Sequence, residues 1–346
     1  MNNIYNYSQE QLEQLLVSNN IPKFRSKQIW NWLYIKLVTD IDQMTNLDAK
    51  TKDFLKQHMS IPQMEVVKHQ SASDGTQKGL LRLDDGRLIE TVLMKYKHGY
   101  SVCVTTQIGC AVGCSFCASG LQGFTRNLKA GEIVAQVIYW QRILAAKQER
   151  VSNVVVMGIG EPFNNYRNTI SFIDCINDSN GLNIGARHIT ISTSGIVPQI
   201  YKLAEYPKQV NLAISLHGAD DVTRSKIMKI NDTYPISELM EAVDVYIERT
   251  NRRVSFEYIM LSGVNDSPTA AKALAKLVRH KNCHINLIPY NSVDEKDYKA
   301  TPVDTINKFV KVLTDSKIQV SVRRANGDDI DGACGQLRHK EEENNA

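Results

Sequence analysis

Three cysteines fall within eight residues, in the run Cys110-Ala-Val-Gly-Cys114-Ser-Phe-Cys117. Cysteine sulfur is the soft ligand that zinc and iron–sulfur clusters take, and three thiolates on one tight loop can hold three corners of a cubane cluster. Structural zinc wants four ligands, usually as two close pairs, and no second pair follows here. Three ligands leave one iron open to a substrate, so the spacing favours a reactive cluster over a structural ion. A second segment, Val154-Val-Val-Met-Gly-Ile-Gly-Glu-Pro162, ends an apolar run in a glycine-rich turn. A dinucleotide fingerprint would need a third glycine where Phe163 stands. Gly158 and Gly160 instead let backbone approach a ligand closely, and Glu161 offers a carboxylate to an ammonium group. The competing reading of Glu161 is a strand-end turn that satisfies its own acid. Ser192-Thr-Ser-Gly195, Ser215-Leu216-His217 and Pro289-Tyr-Asn291 also close apolar runs; each is weak alone, because Ser and Asn commonly cap loops.

The elements that must position these residues follow from the hydrophobic pattern. Ser8 and Gln11 have capping-box spacing, with Leu12, Leu15 and Leu16 following at helical intervals. Pro22 interrupts, and Ile29, Trp32, Leu33 and Leu37 mark a second apolar face that starts at Lys23, Arg25 and Lys27. A third short helix carries Phe54, Leu55 and Met59. The polar stretch Ser71–Gly75 reads as a boundary. Leu80–Leu83 and Leu88–Met94 flank Asp84-Asp85-Gly86, a hairpin signal. β-branched runs then recur at Val102–Thr106, Val154–Met157, His188–Ser192, Val210–Ser215, Val254–Met260, His284–Ile288 and Gln319–Arg323. Helix-length stretches such as Ala130–Ala145 and Ile236–Arg249 separate most of them. Alternating strand and helix implies parallel pairing, hence an open doubly wound sheet or a full or partial barrel. Glu161, Ser194, His217, Asn265 and Asn291 fall just after strand ends, where such folds build their sites. The charged tail from Arg338 to Ala346 has no periodicity and reads as disordered.

Composition bounds the rest. The chain has 346 residues, seven cysteines and a formal charge of +4. The odd cysteine count and polar N-terminus, without a basic-then-apolar leader, point to a reducing, cytoplasmic setting rather than a disulfide scaffold. No apolar run approaches the ~20 residues that span a bilayer. The weak positive charge permits a nucleic-acid partner without requiring one.

The CxxxCxxC spacing resembles the radical S-adenosylmethionine (SAM) superfamily, and further markers resemble the RlmN/Cfr-type RNA methyltransferases. These markers are Glu90-Thr91-Val92, Cys103 seven residues before Cys110, Gly160-Glu161-Pro162, Ser215-Leu216-His217, Gly263-Val264-Asn265-Asp266, Asn286 to Asn291, and Ala333-Cys334-Gly335-Gln336-Leu337. The match covers nearly the whole chain. It implies a partial (β/α)6 barrel (residues 96–337), preceded by a small helical RNA-binding domain (1–72) and a β-hairpin extension (73–95). It implies one [4Fe-4S] cluster on Cys110, Cys114 and Cys117, whose open iron chelates SAM and, when reduced, cleaves it to a radical. SAM contacts are implied for Gly160, Glu161, Ser192, Ser215, Leu216, His217 and Asn291. Two SAM molecules are implied per turnover: one methylates Cys334, and the second activates that methyl for addition to an adenine carbon. Cys103 then attacks the Cys334 sulfur to release the crosslinked RNA, and Glu90 is the implied base. Local sequence alone does not favour Cys334, since its loop carries Asp328, Asp329 and Asp331. Cys175 and Cys283 lie in no motif and read as packing residues.

The expected substrates are 23S ribosomal RNA and some transfer RNAs, with methylation at adenine C2. The C8 branch resembles Gly-Glu-Ala where this chain has Gly160-Glu161-Pro162. Gly332 stands where alanine is more usual, which would loosen the Cys334 loop. Cations for RNA phosphates are Lys23, Arg25, Lys27, Lys95, Lys97 and the Arg323-Arg324 pair, each of which alternatively serves as a solvated face. A flavodoxin or ferredoxin is the expected electron donor, and a monomer the expected state. The alternatives are a C8 methyltransferase, a radical-SAM enzyme acting on a small molecule or peptide, and a non-catalytic RNA-binding protein with a structural metal.

Overall fold

The computed structural model describes residues 1–323 and 327–337. Arg324 and the tail 338–346, expected as an RNA-facing cation and a disordered segment, lie outside the described residues.

The N-terminal unit comprises β1 (Asn2–Asn3), α1 (Gln9–Ser18), α2 (Phe24–Tyr34), α3 (Ala49–His58) and β2 (Met59–Ser60). The capping box at α1 forms as its spacing suggests: Gln11 N donates to Ser8 Oγ and Ser8 N to Gln11 Oε1. The face of α2 differs from the expected one. Ile29, Trp30, Leu33 and Tyr34 are buried, whereas Trp32 is half-buried and donates its indole N–H to Asn46. Trp30 wins the interior because Tyr34 lies one turn away, at a ring separation of 4.3 Å, and Tyr5 packs on Tyr34 in turn. Arg25 is committed to Asp48 at 2.5 Å and to the Asn46 carbonyl, so its charge is already matched.

An antiparallel arm follows: β3 (Glu65–Ser71), β4 (Gln77–Arg82), β5 (Leu88–Tyr96) and β6 (Gly99–Cys103). The Asp84-Asp85-Gly86 signal is the β4–β5 turn, with Gly86 at φ +83. Ser71–Gly75, read as a boundary, leads into the β3–β4 turn, where Gly75 N donates to the Ala72 carbonyl. After β6 the small pair β7 (Gln107–Gly109) and β8 (Phe124–Asn127) brackets the cysteine loop.

Strands and helices then alternate: α4 (Ala130–Ala145), β9 (Val151–Val156), α5 (Tyr166–Asn177), β10 (Ile189–Thr193), α6 (Val197–Ala204), β11 (Asn211–Ser215), α7 (Asp221–Ile227) and α8 (Ile236–Thr250), then β12 (Val254–Met260), α9 (Pro268–Val278), β13 (Cys283–Pro289), α10 (Val303–Asp315) and β14 (Val320–Val322). Among the described residues one ten-stranded sheet runs β14-β13-β12-β11-β10-β9-β6-β5-β4-β3, parallel from β14 to β6 and antiparallel beyond. Six strand–helix units, beginning at β6 and ending with α10, precede β14. Residues from the ends of β9 through β14 line one cavity, which requires the sheet to curl into a partial barrel. Outward residues such as Phe256, Tyr258, Ile285 and Leu287 are fully buried under the helices, each contributing about 1.5–3 kcal/mol. This core is continuous with the N-terminal unit. Gly131 at the start of α4 lets Asn6 dock there: its N–H donates to Asn6 Oδ1, and a Cβ would sit 2.8 Å from Asn6 N. Among the described residues no helix is long and apolar enough to cross a membrane.

Candidate active site

The cysteine loop leaves β7 at the barrel mouth. Cys110 N donates to the Gly123 carbonyl and Ser115 N to the Ile227 carbonyl, tying the loop to β8 and to the end of α7. Ser115 Oγ also meets the Tyr298 hydroxyl at 2.7 Å. Phe116 packs with Met228, Ile259 and Tyr290, while Cys114 and Cys117 lie against that apolar group. Cys110, Cys114 and Cys117 line one solvent-open cleft. Burial pushes the Cys110 thiol up to about 11 and raises Cys114 and Cys117 as well. Three soft sulfur donors on one loop are the ligand type an iron–sulfur cluster takes, but among the described residues no three His, Cys, Asp or Glu side chains are gathered closely enough to hold a metal ion.

The opposite wall is the turn after β9. Gly160 adopts φ +104, and a Cβ there would lie 2.5 Å from Gln107 Cβ, so only glycine fits. Glu161 is buried, with Oε2 accepting from Ser194 N at 2.7 Å and Oε1 from Phe163 N at 3.0 Å. Burial raises its pKa, and the two amide bonds oppose that rise. Each oxygen keeps a lone pair for another donor, so the satisfied-turn and ammonium-binding readings coexist. Ser192 Oγ and Ser215 Oγ lie 3.5 Å apart on adjacent strands, and both line the cleft.

His217 lines the cleft from a left-handed backbone position, φ +55. Its Nδ1 accepts the Ile259 N–H at 3.0 Å, which puts the ring proton on Nε2. Burial, with the Arg224 charge second, lowers its pKa to about 3, so the ring is neutral at physiological pH. Asn265 holds this corner by donating to the carbonyls of His217 and Ile259; its place at a strand end is that of a clamp. Arg224, fully buried, spans the carbonyls of Leu216 and Ser194. Two expected cofactor residues stand elsewhere. The Leu216 side chain is wholly buried outside the cleft lining, and Asn291 lines a neighbouring cavity with its Nδ2 3.5 Å from the Cys334 carbonyl.

That second cavity, with about 570 Å³ of empty volume, is lined by Cys103, Val92, Met94 and Asn291 among others. Burial drives the Cys103 thiol up to about 12, with Cys334 adding to the effect. Glu90 lies on the same face of β5 as Val92 and Met94, nearly inaccessible, with Oε1 3.1 Å from Lys78 Nζ. Cys334 lines both cavities.

Arg323 reads in the sequence as an RNA-facing cation, and the structure places it in the walls of both cavities. Its Nη1 is 3.7 Å from Cys334 Sγ and 3.6 Å from Glu257 Oε2. Its pKa is raised, chiefly by the adjacent Cys334 sulfur. The expected acidic surroundings of Cys334 are thus countered by a guanidinium at the sulfur itself. Glu257 was not anticipated. It points inward from β12, accepts from Asn286 Nδ2 at 2.8 Å, and is 4% exposed. The signal available was Ser255-Phe-Glu257-Tyr-Ile259, an acid at the inward position of a buried parallel strand.

A curled parallel sheet with a three-cysteine loop at its mouth is the architecture of a radical-SAM enzyme, and residues 104–274 match the Radical SAM superfamily model. Residues 2–61 match the ribosomal RNA large subunit methyltransferase N-terminal domain. A probable dual-specificity RNA methyltransferase RlmN from Staphylococcus carnosus is 53% identical over 338 residues, 98% of this chain and 93% of that protein. One of the same name from Bacillus velezensis is 51% identical over the same coverage. The crystal structure of a radical SAM methyltransferase from Sphaerobacter thermophilus superimposes with a TM-score of 0.95 at 44% identity, over 98% of this chain and 99% of that one. The chain belongs to the RlmN family of radical-SAM methyltransferases.

Proposed function

We propose that this chain methylates C2 of adenine in 23S ribosomal RNA and in transfer RNA, with Cys334 as the methyl carrier and Cys103 as the resolving thiol. The observation that carries this reading is the position of Cys334. Among the described cysteines, Cys110, Cys114 and Cys117 line the first cavity and Cys103 the second, while Cys334 lines both. A sulfur at that junction meets a methyl donor on one side and an RNA base on the other.

In this reading Cys110, Cys114 and Cys117 hold a [4Fe-4S] cluster, and the bound cluster and SAM supply one-electron chemistry and the methyl group. Glu161 receives the ammonium of SAM, and Gly160, Ser192, Ser215 and neutral His217 line the cleft around it. Arg323 orients the Cys334 sulfur. After the base is bonded to the Cys334 methyl carbon, Glu90 takes the adenine proton, and the odd electron of the adduct leaves to a one-electron acceptor such as the oxidised cluster. Cys103 then attacks the Cys334 sulfur; an S–S bond forms, the C–S bond to the RNA breaks, and the released carbon takes up a proton. An aromatic C–H carbon that is electron-poor does not accept a methyl cation by simple displacement, which is why a radical route is needed. A flavodoxin- or ferredoxin-type donor, a cytoplasmic setting and a monomeric state complete the proposal and rest on the family resemblance.

The test is digestion of ribosomal and transfer RNA after treatment with the reconstituted enzyme and SAM. We expect 2-methyladenosine; 8-methyladenosine would reassign the regiochemistry, and neither product would overturn the reading. Cys103→Ala should trap a covalent RNA–protein adduct through Cys334, visible by mass spectrometry.

A further inference from the structure

Lys78 is a lysine where a soluble protein seldom keeps one. Its side chain is 7% exposed and its ammonium has two partners: Glu90 Oε1 at 3.1 Å and the Asp331 carbonyl at 3.2 Å. Stability does not explain the arrangement. Exchanging a buried ion pair for apolar residues of similar volume is often neutral or stabilising, and this sheet face already carries Val92 and Met94. What the ammonium does is join two pieces that are 241 positions apart in sequence, Glu90 and Asp331.

The second partner is informative. Asp331 has φ +50, a left-handed conformation, and lies three residues before Cys334. Such a residue keeps its place only where its surroundings hold it. Two further bonds come from the same arm: Gly327 N donates to Asp74 Oδ2 at 3.1 Å and Ser73 N to Asp329 Oδ2 at 3.0 Å. Thr76 packs so closely on Gly327 that a Cβ there would lie 2.9 Å from Thr76 Cγ2. The β3–β4 hairpin therefore clasps the loop that carries Cys334, and the clasp's innermost contact is also the ion pair of Glu90.

We propose that Lys78 is a positioning residue of the reaction: it holds the Glu90 carboxylate and the Cys334 loop in one fixed relation, so that the carbon carrier and the proton acceptor meet the same base. The proposal rests on the reading of Cys334 as carrier and Glu90 as base. On that footing Lys78 matters to the RNA half of the cycle and not to loading of the methyl group, which happens in the first cavity.

The test compares Lys78→Met, Glu90→Gln and the double variant with the parent protein. In cluster-free protein, amide exchange across residues 327–337 should quicken about tenfold in Lys78→Met, the loss of one charge-assisted bond, with β9 to β13 unchanged. In cluster-loaded protein purified with SAM, the methyl-Cys334 fraction should stay within about twofold of the parent, while methyladenosine formation falls about a hundredfold, the scale of a slight misplacement of reacting groups. Adding Glu90→Gln to Lys78→Met should lower product no further. Unchanged loop exchange, near-parental product formation, or a parallel loss of methyl-Cys334 and product would each overturn the proposal. If Lys78→Met alone does not fold, the double variant leaves no buried charge unmatched, and its loop exchange must exceed that of Glu90→Gln. Failure of the underlying reading looks different: parent protein without methyl-Cys334, or Glu90→Gln with full product yield.

Discussion

Replacing Arg323 by methionine separates the interior role assigned to it here from an RNA-facing one. The change keeps the length and packing of the side chain but removes the guanidinium between Glu257 and Cys334. Glu257 retains its bond from Asn286 at 2.8 Å and loses the cation 3.6 Å from its other oxygen. Breaking a fully buried pair costs about 3–5 kcal/mol. Arg323's side chain is 27% exposed and the contact is long, so the expected cost is nearer ~2 kcal/mol. At roughly 2 °C per kcal/mol for a chain of this size, cluster-free Arg323→Met should melt about 4 °C below the parent. Adding Glu257→Gln removes the stranded charge and should recover at least half of that loss. In loaded protein, Cys334 methylation should slow by about tenfold, the value of one charge-assisted contact to the sulfur. A melting point equal to the parent's, or a double variant no more stable than the single one, would refute the interior assignment. A uniform weakening of RNA binding with normal Cys334 methylation would return Arg323 to the RNA surface.

Further outcomes follow from single contacts. His217 has a folded pKa of about 3, below its value of about 6.5 in the unfolded chain. Its contribution is present above the unfolded value and is lost as pH falls from there toward the folded one. Between pH 7 and pH 5 it should cost about 2 kcal/mol, and His217→Asn, whose oxygen can still accept the Ile259 N–H, should flatten the chemical-denaturation midpoint over that interval. Gly160→Ala combines φ +104 with a 2.5 Å clash against Gln107; a loss of more than about 2 kcal/mol and of SAM binding by equilibrium dialysis is expected. Gly332→Ala brings a Cβ to 3.2 Å from the Gly327 carbonyl, which offsets the entropic gain, so its melting point should differ from the parent's by less than the equivalent of about 1 kcal/mol. A clear gain in stability would show that the Cys334 loop has room to shift.

What was legible in the sequence was local. Three cysteines on one loop need only their spacing to be read, and the Gly160-Glu161-Pro162 turn only its own run of residues. The alternation of strands and helices likewise requires no more than the hydrophobic period. The junction at Cys334 was not legible in this way, because its meaning lies in what surrounds it. Its own loop supplies acids, and the guanidinium that meets the sulfur comes from the end of β14, a segment whose Arg323-Arg324 pair reads naturally as phosphate-binding charge. Trp30 and Trp32 show the same limit at smaller scale: both fit an amphipathic helix, and only the presence of Tyr5 and Tyr34 decides which is buried. Lys78 and Glu90 look like two solvated strand charges until the register of β4 on β5 brings them diagonally together on a covered face. Charge sign in a sequence therefore says little about function in this protein. The informative quantity is whether a charge faces water or is kept inside at a cost, and for Arg323, Glu257, Lys78 and Glu90 that cost is incurred around the one cysteine, among those described, that lines both cavities.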